Sequence, residues 1–216
     1  MRPLQLTQPG PLLFAAGGAF QALELQGADV PVMQRFFDAN PEYNLLINGE
    51  PPGPDDAQTE FDEAPPPEMP HGKLWWIAFT DAQHTLHGVA HVVTDLLAPG
   101  VWHVGLFIVA TALHGQGAAP ALYQALERWM VAQGAQWLRL GVVQGNARAE
   151  AFWLRQGYVE VRQRHDVPTG ARRNTIRVMV KPAGADPTPT ILPSAMKRSR
   201  GASILLAGSI RRPLWI

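Results

Sequence analysis

In the stretch Leu113–Leu126 (LHGQGAAPALYQAL), an apolar run at Leu106–Val109 gives way to a small-residue turn, and a helical pattern begins at once. This strand–turn–helix junction constrains the chain more than any other segment. Glycines at 115 and 117 permit close backbone approach to a ligand and dihedrals closed to other residues. The first N–H groups of the following helix lack intrahelical partners and lie at the positive end of its dipole. Such a junction suits an anion, a phosphate above all; a glycine-rich tight turn without a ligand is the plain alternative. A P-loop is excluded, because no Lys occurs between positions 73 and 181 to complete Gly-Lys-Ser/Thr. The dinucleotide fingerprint is excluded as well, because Pro120 stands where the third glycine belongs.

A second stretch, Trp137–Tyr158 (WLRLGVVQGNARAEAFWLRQGY), runs from a strand through Asn146 into a short helix that ends at Gly157. Taken together, the two stretches resemble the GNAT superfamily of N-acetyltransferases, which use acetyl-coenzyme A (acetyl-CoA). The family's pyrophosphate loop, Gln/Arg-x-x-Gly-x-Gly/Ala, is matched by His114-Gly115-Gln116-Gly117-Ala118-Ala119. Its later motif, Asn-x-x-Ala-x-x-Phe-Tyr-x-x-x-Gly-Phe/Tyr, is matched by Asn146, Ala149, Phe152, Trp153, Gly157 and Tyr158 with every spacing kept. The resemblance covers residues 88–181 firmly and extends over 20–87, but not into the tail.

The resemblance implies an N-acetyltransferase that moves an acetyl group from acetyl-CoA to a primary amine, a small molecule or an amino terminus, by direct attack on the thioester. An acyl-CoA-binding module without turnover is the alternative. The resemblance assigns the cofactor pyrophosphate to the backbone of 114–119, and the pantetheine arm to the strand containing Phe107, Ile108 and Val109. Asn146 is assigned a cofactor contact, although an ordinary helix N-cap is an equal role for it. The sequence departs from the pattern at His114, where Gln or Arg is usual, and at Trp153, where many members place the Tyr that protonates the leaving thiolate. Indole is a donor only and supplies no such proton. Tyr123 and Tyr158 read as core.

A lysine-like amine lies about 3.4 pKa units above pH 7, so holding it neutral costs about 4–5 kcal/mol. An acceptor titrating near 7 relieves that cost, and His is the usual choice. His103, on the strand before the loop, is the candidate base, with His91 and Asp95 as alternatives.

The length of 216 residues suits one domain with extensions, and 46% apolar content suffices for a core. The fold expected is α/β: a single GNAT-like domain with a mixed, strongly twisted sheet and helices on both faces. Residues 1–19 read as irregular, 20–181 as the domain, and 182–216 as a low-complexity, basic, disordered tail. Strands are expected at 20–25, 73–80, 87–97, 101–109 and 137–143, with a final hairpin of 158–167 and 174–181. Helices are expected at 30–40, capped by Asp29, at 117–133 and at 146–156, with one turn near 56–61. Leu122, Leu126, Trp129 and Met130 form an i, i+4, i+7, i+8 stripe that packs on a sheet.

Eighteen basic and 18 acidic residues cancel, so no global field recruits nucleic acid. Residues 50–70 nonetheless hold seven acids, seven prolines and no base, which reads as a solvated loop able to steer a cationic amine toward the thioester through Asp55, Asp56 and Glu60. With no cysteine there is no disulfide and no thiolate metal site, and no metal is expected. The apolar run 12–16 is short and flanked by proline, which argues against a signal peptide, and no apolar stretch approaches a membrane span. The expected partner is a small-molecule amine, without nucleic acid or membrane, in the cytoplasm; a homodimer is left open.

Overall fold

The computed structural model describes residues 4–183. One eight-stranded sheet organises them, in the order β1-β2-β3-β4-β5-β6-β8-β7. Its strands are β1 (Leu12–Ala15), β2 (Gln21–Glu24), β3 (Leu74–Thr80), β4 (Leu86–Val93), β5 (Val101–Val109), β6 (Trp137–Val143), β7 (Val159–Thr169) and β8 (Arg172–Pro182). All neighbours are antiparallel except β5 and β6. A parallel pair requires a crossover, and helix α4 (Ala118–Ala132) supplies it. The expected mixed sheet with helices on both faces is therefore present.

Two apolar layers flank the sheet. On one face the α4 stripe Leu122, Leu126, Trp129 and Met130 packs against Ile77, Val92, Trp102 and Leu138, together with Trp153 of α5 (Ala147–Arg155). On the other, Val32, Met33, Phe36 and Phe37 of α1 (Val30–Ala39) and Ala57 of α3 (Asp56–Asp62) cover Trp76, Ala78, Val89 and Val93. Helix α5 ends in a Schellman motif: the N–H of Gly157 donates to Leu154 O and that of Tyr158 to Trp153 O.

Four expectations need correction. Within 1–19, taken as irregular, Leu12–Ala15 is an edge strand, and Phe14 stacks on Trp129 at 5.4 Å. Its proline-rich flanks hid a run too short to show periodicity. Asp29 does not cap α1. Its Oδ1 instead accepts from Thr7 N at 2.6 Å, Thr7 Oγ1 at 2.8 Å and Gln8 N at 3.2 Å, tying the N-terminal segment to the domain. Strand β4 ends at Val93 rather than 97, where the chain turns through Asp95 and Leu97 at positive φ. Strands β7 and β8 run on to Thr169 and from Arg172, so the hairpin turn is shorter than expected. The tail predicted for 182–216 lies, beyond Ala183, outside the described residues. No helix among the described residues is long and apolar enough to cross a membrane.

His91 is fully buried on β4 and stacks on Trp76 at 4.5 Å, and burial pushes its pKa down to about 3. An unfolded histidine titrates near 6.5, so the unfolded chain binds more protons between those two values and stability drops as pH falls through that window. Urea midpoints are expected to decline from pH 6.5 to pH 4, and His91→Phe to flatten the decline. An unaltered slope in the variant would assign the acid sensitivity to other groups.

Candidate active site

Strand β5 changes face at Gly105. Trp102 and Val104 point to the α4 layer, whereas beyond the glycine Phe107 and Val109 do so and Leu106 and Ile108 face α1. The register with β4 slips at the same place, from Val92↔Val104 to His91↔Leu106, leaving Gly105 as a bulge. Pairing with β6 covers only Val101–Val104 against Trp137–Leu140, although β5 continues to Val109 and β6 to Val143. The two strands therefore part, and the edge of β5 faces a cleft.

At the end of β5 the chain makes a short 3-10 turn (Thr111–Leu113) and enters the loop before α4. Gly115 and Gly117 both have φ +77, and a Cβ built on either meets no atom within 4 Å. The space above the loop is open. The N–H groups of Gly115, Gly117, Ala118 and Ala119 donate to no acceptor among the described residues. They lie at and just before the positive end of a 15-residue helix, a setting that favours an anion. Pro120 lies in the first turn and costs no intrahelical bond there. His114 Nε2 donates to Val109 O at 2.9 Å, fastening the loop to the strand end.

A cavity of about 580 Å³ runs from this loop along β5 to the head of α5. Its lining includes Phe107, Ile108, Val109, His114, Gly115, Gly117, Ala119, Asn146 and Trp153, so most of the sequence candidates come together. Gln116 and Ala118 do not line it; the Gln116 amide turns back to Ala112 O at 2.7 Å. Asn146 does cap α5, its Oδ1 accepting from Ala149 N at 3.1 Å, and it also lines the cavity, so both roles expected of it are compatible.

His103 is not brought to the cleft. It is fully buried on β5 and lines neither this cavity nor the one adjoining it. Its Nδ1 lies 3.1 Å from Arg139 Nη1, and because guanidinium only donates, that lone pair is engaged. As base it is replaced by a structural role. The alternatives also fall away: His91 is core, and Asp95 Oδ1 accepts from Gly100 N at 2.7 Å to close a turn. The acidic segment supplies no wall either, for Asp56 and Glu60 are buried and Asp56 accepts from Gly53 N at 3.0 Å.

Sequence reasoning missed helix α2 (Glu42–Asn48), which contributes Glu42, Tyr43 and Leu46 to the cavity. No periodic pattern marks so short a segment. The Glu42 backbone N–H and the Thr111 hydroxyl, donating at 2.8 Å, hold the Glu42 carboxyl below its ordinary range, with His114 and Arg148 nearby.

Tyr123 and Tyr158, read as core, are buried with their hydroxyls 2.7 Å apart, and burial pushes both phenols well above their ordinary pKa. Neither lines the cleft. Tyr158→Phe is expected to destabilise the fold by about 1–3 kcal/mol, because the Tyr123 hydroxyl loses its partner. Turnover by the folded variant should be unchanged. A selective loss of kcat in the folded variant would return Tyr158 to the chemistry.

The α/β sheet, with one parallel pair parting beside a helix-headed loop of unengaged amides, sets a strand edge next to an anion site. The chain belongs to the acetyltransferase (GNAT) family, whose sequence model matches residues 36–158, and it is an acetyltransferase enzyme. No curated protein matches it in sequence. Among solved structures it is similar to an acetyltransferase from Thermus thermophilus (21% identity, 80% of this chain and 99% of the other, TM-score 0.58). It is also similar to a spermidine N-acetyltransferase from Vibrio cholerae in complex with CoA and spermine (17%, 77% and 97%, TM-score 0.58). A third is a ribosomal-protein-alanine N-acetyltransferase from Brucella melitensis (17%, 74% and 98%, TM-score 0.54). At these identities the likeness is one of fold. Among the described residues no cluster of His, Asp and Glu is arranged to hold a metal ion.

Proposed function

We propose that the chain transfers an acetyl group from acetyl-CoA to a primary amine. The observation that carries this reading is the loop of unengaged amides at Gly115, Gly117, Ala118 and Ala119, opening onto the unpaired edge of β5. The diphosphate fits the loop because glycine leaves its space open, and the pantetheine amides fit β5 as an added strand. Arg148 and Arg155 on α5 line the same cleft and suit further phosphate charge.

The amine lone pair forms the new C–N bond, the C–S bond breaks, and one proton passes in net from nitrogen to sulfur. Amides at the β5 edge stabilise charge on the thioester oxygen. Trp153 supplies no acid, and Tyr123 and Tyr158 are locked in the core. Five residues line both the main cavity and its neighbour: Tyr43, Phe107, Asn146, Ala149 and Trp153. Of these only Tyr43 carries an acidic proton, and Tyr43 is the proposed donor to the departing thiolate.

Two measurements test the reading. Gly117→Asp keeps a residue type that tolerates positive φ and puts a negative charge where the diphosphate goes. Calorimetric affinity for acetyl-CoA should fall at least about tenfold, or ~1.4 kcal/mol, with the circular dichroism spectrum kept. Unchanged affinity sinks the loop assignment. Tyr43→Phe should lower kcat about 10²-fold at near-constant acetyl-CoA affinity, and Trp153→Tyr in that background should restore part of the rate. A fully active Tyr43→Phe removes Tyr43 from the mechanism.

A further inference from the structure

A second, smaller cavity of about 140 Å³ adjoins the cleft at the point where β5 and β6 part. It shares five lining residues with the cleft and is bounded also by Val143, Ile176 and Ile47. An arm laid along β5 from the loop at 114–119 toward Gly105 brings its reactive end to this mouth. The chamber beyond is where an acceptor must lie. This step rests on the acetyl-transfer reading above.

Most side chains lining the chamber are apolar: Val104, Leu140, Val142 and Val143 from the parted strands, Ile176 from β8 and Ile47 from α2. Among the described residues lining it, none carries a charge at neutral pH. The Thr169 hydroxyl is already used, donating to Ile47 O at 2.9 Å and accepting from the Asn174 amide. The remaining polar side chains of the lining are Tyr43, Asn146 and Trp153, and the parted strands add backbone groups from Gly105 and Gly141–Val143.

Helix α2 is the roof, and it is tied down at both ends. Asn40 Oδ1, just before it, accepts from Thr111 N at 2.7 Å. Its last turn is held by the β7–β8 hairpin: Asn174 Nδ2 donates to Ile47 O at 2.8 Å, Arg172 Nη1 to Leu46 O at 2.7 Å and Ala171 N to Asn48 O at 2.9 Å. A roof so fastened excludes a bulky peptide end without local rearrangement.

We infer that the acceptor is a small primary amine with an apolar body and no second charge, its nitrogen at the Tyr43 mouth and its body against Val143 and Ile176. A second ammonium or a carboxylate would enter this chamber without a charged partner, at a cost of several kcal/mol. The same apolar walls ease the deprotonation problem, because desolvation lowers the pKa of the entering ammonium. A dedicated histidine is then unnecessary.

The test uses the full chain, acetyl-CoA and a thiol-release assay on a matched pair, hexylamine and 1,6-diaminohexane, with spermidine and alanine alongside. The kcat/KM for hexylamine is expected to exceed that for each of the others by about 100-fold or more, and to rise tenfold per pH unit below the amine's pKa. Val143→Asp, at a half-buried position of the lining, should narrow the hexylamine-to-diamine ratio at least tenfold. Val143→Asn, which adds polarity without charge, should narrow it less. Equal or better use of the diamine, spermidine or alanine by the wild-type chain overturns the inference while leaving acetyl transfer standing. So does a ratio untouched by Val143→Asp. Acetyl-CoA binding with no turnover of any amine overturns both.

Discussion

The parting of β5 from β6 after four paired residues is the constraint on which the site depends. A sheet interior normally uses every backbone donor and acceptor, so two central strands separate only where something forces them apart and something else meets the exposed edge. Gly105 provides the first condition. Its bulge reverses which side chains face which layer, so Phe107 turns toward Tyr123 and Phe152 with ring centroids 5.9 and 6.1 Å away. The crossover through α4 provides the second, since it places a helix N-terminus directly at the end of the freed edge. Edge and anion site are consecutive in the chain, and one elongated ligand with a charged head and amide-bearing arm satisfies both.

Helix α2 adds a further wall to the cavities along that open edge. It is short, has no strong amphipathic stripe, and exposes Leu45 and Leu46. Its position comes from hydrogen bonds made to residues more than 120 positions later, through Thr169, Arg172 and Asn174. The terminal hairpin thus has two duties: β8 completes the sheet beside β6, and its turn end pins the roof.

What the sequence revealed, and what it hid, follows from the range of the forces involved. The strand–loop–helix junction, the α4 stripe and the Asn146–Gly157 helix are local, set by periodicity, glycine placement and capping, and they stand within a residue or two of their expected bounds. Much of the main cavity's lining was legible for the same reason. Gly105 was a visible signal too, a lone glycine inside an apolar strand being a mark of a bulge, and reading it would have located the split. Tyr43 and Ile47 gave no signal, because nothing local says that residues 42–48 fold over β5. His103 misled because position along a strand does not say where the strand loses its neighbour: it sits where β5 is still paired with β6, opposite Arg139, and is buried there. Asp29 and Asp56 misled in a related way: an isolated carboxylate reads as a cap or a solvated charge, whereas each is consumed by backbone donors from a neighbouring segment.

Trp153 is then better understood from its surroundings than as a lost catalytic group. Its ring packs edge-on against Phe152 at 4.8 Å, Tyr123 at 5.0 Å, Tyr158 at 5.4 Å and Phe107 at 6.0 Å. Within that shell the two tyrosines already pair their hydroxyls with each other, which is how buried phenols avoid an unmet donor. A third phenol there must either reach the cleft or remain unsatisfied, whereas indole brings more apolar area and one modest N–H. Aromatic packing fills the root of α5, and the acid proposed above, Tyr43, stands on α2, where it lines both cavities. The proposed donor and the roof share one helix, so the hydrogen bonds from Asn174, Arg172 and Ala171 that hold the last turn of α2 also fix where Tyr43 stands.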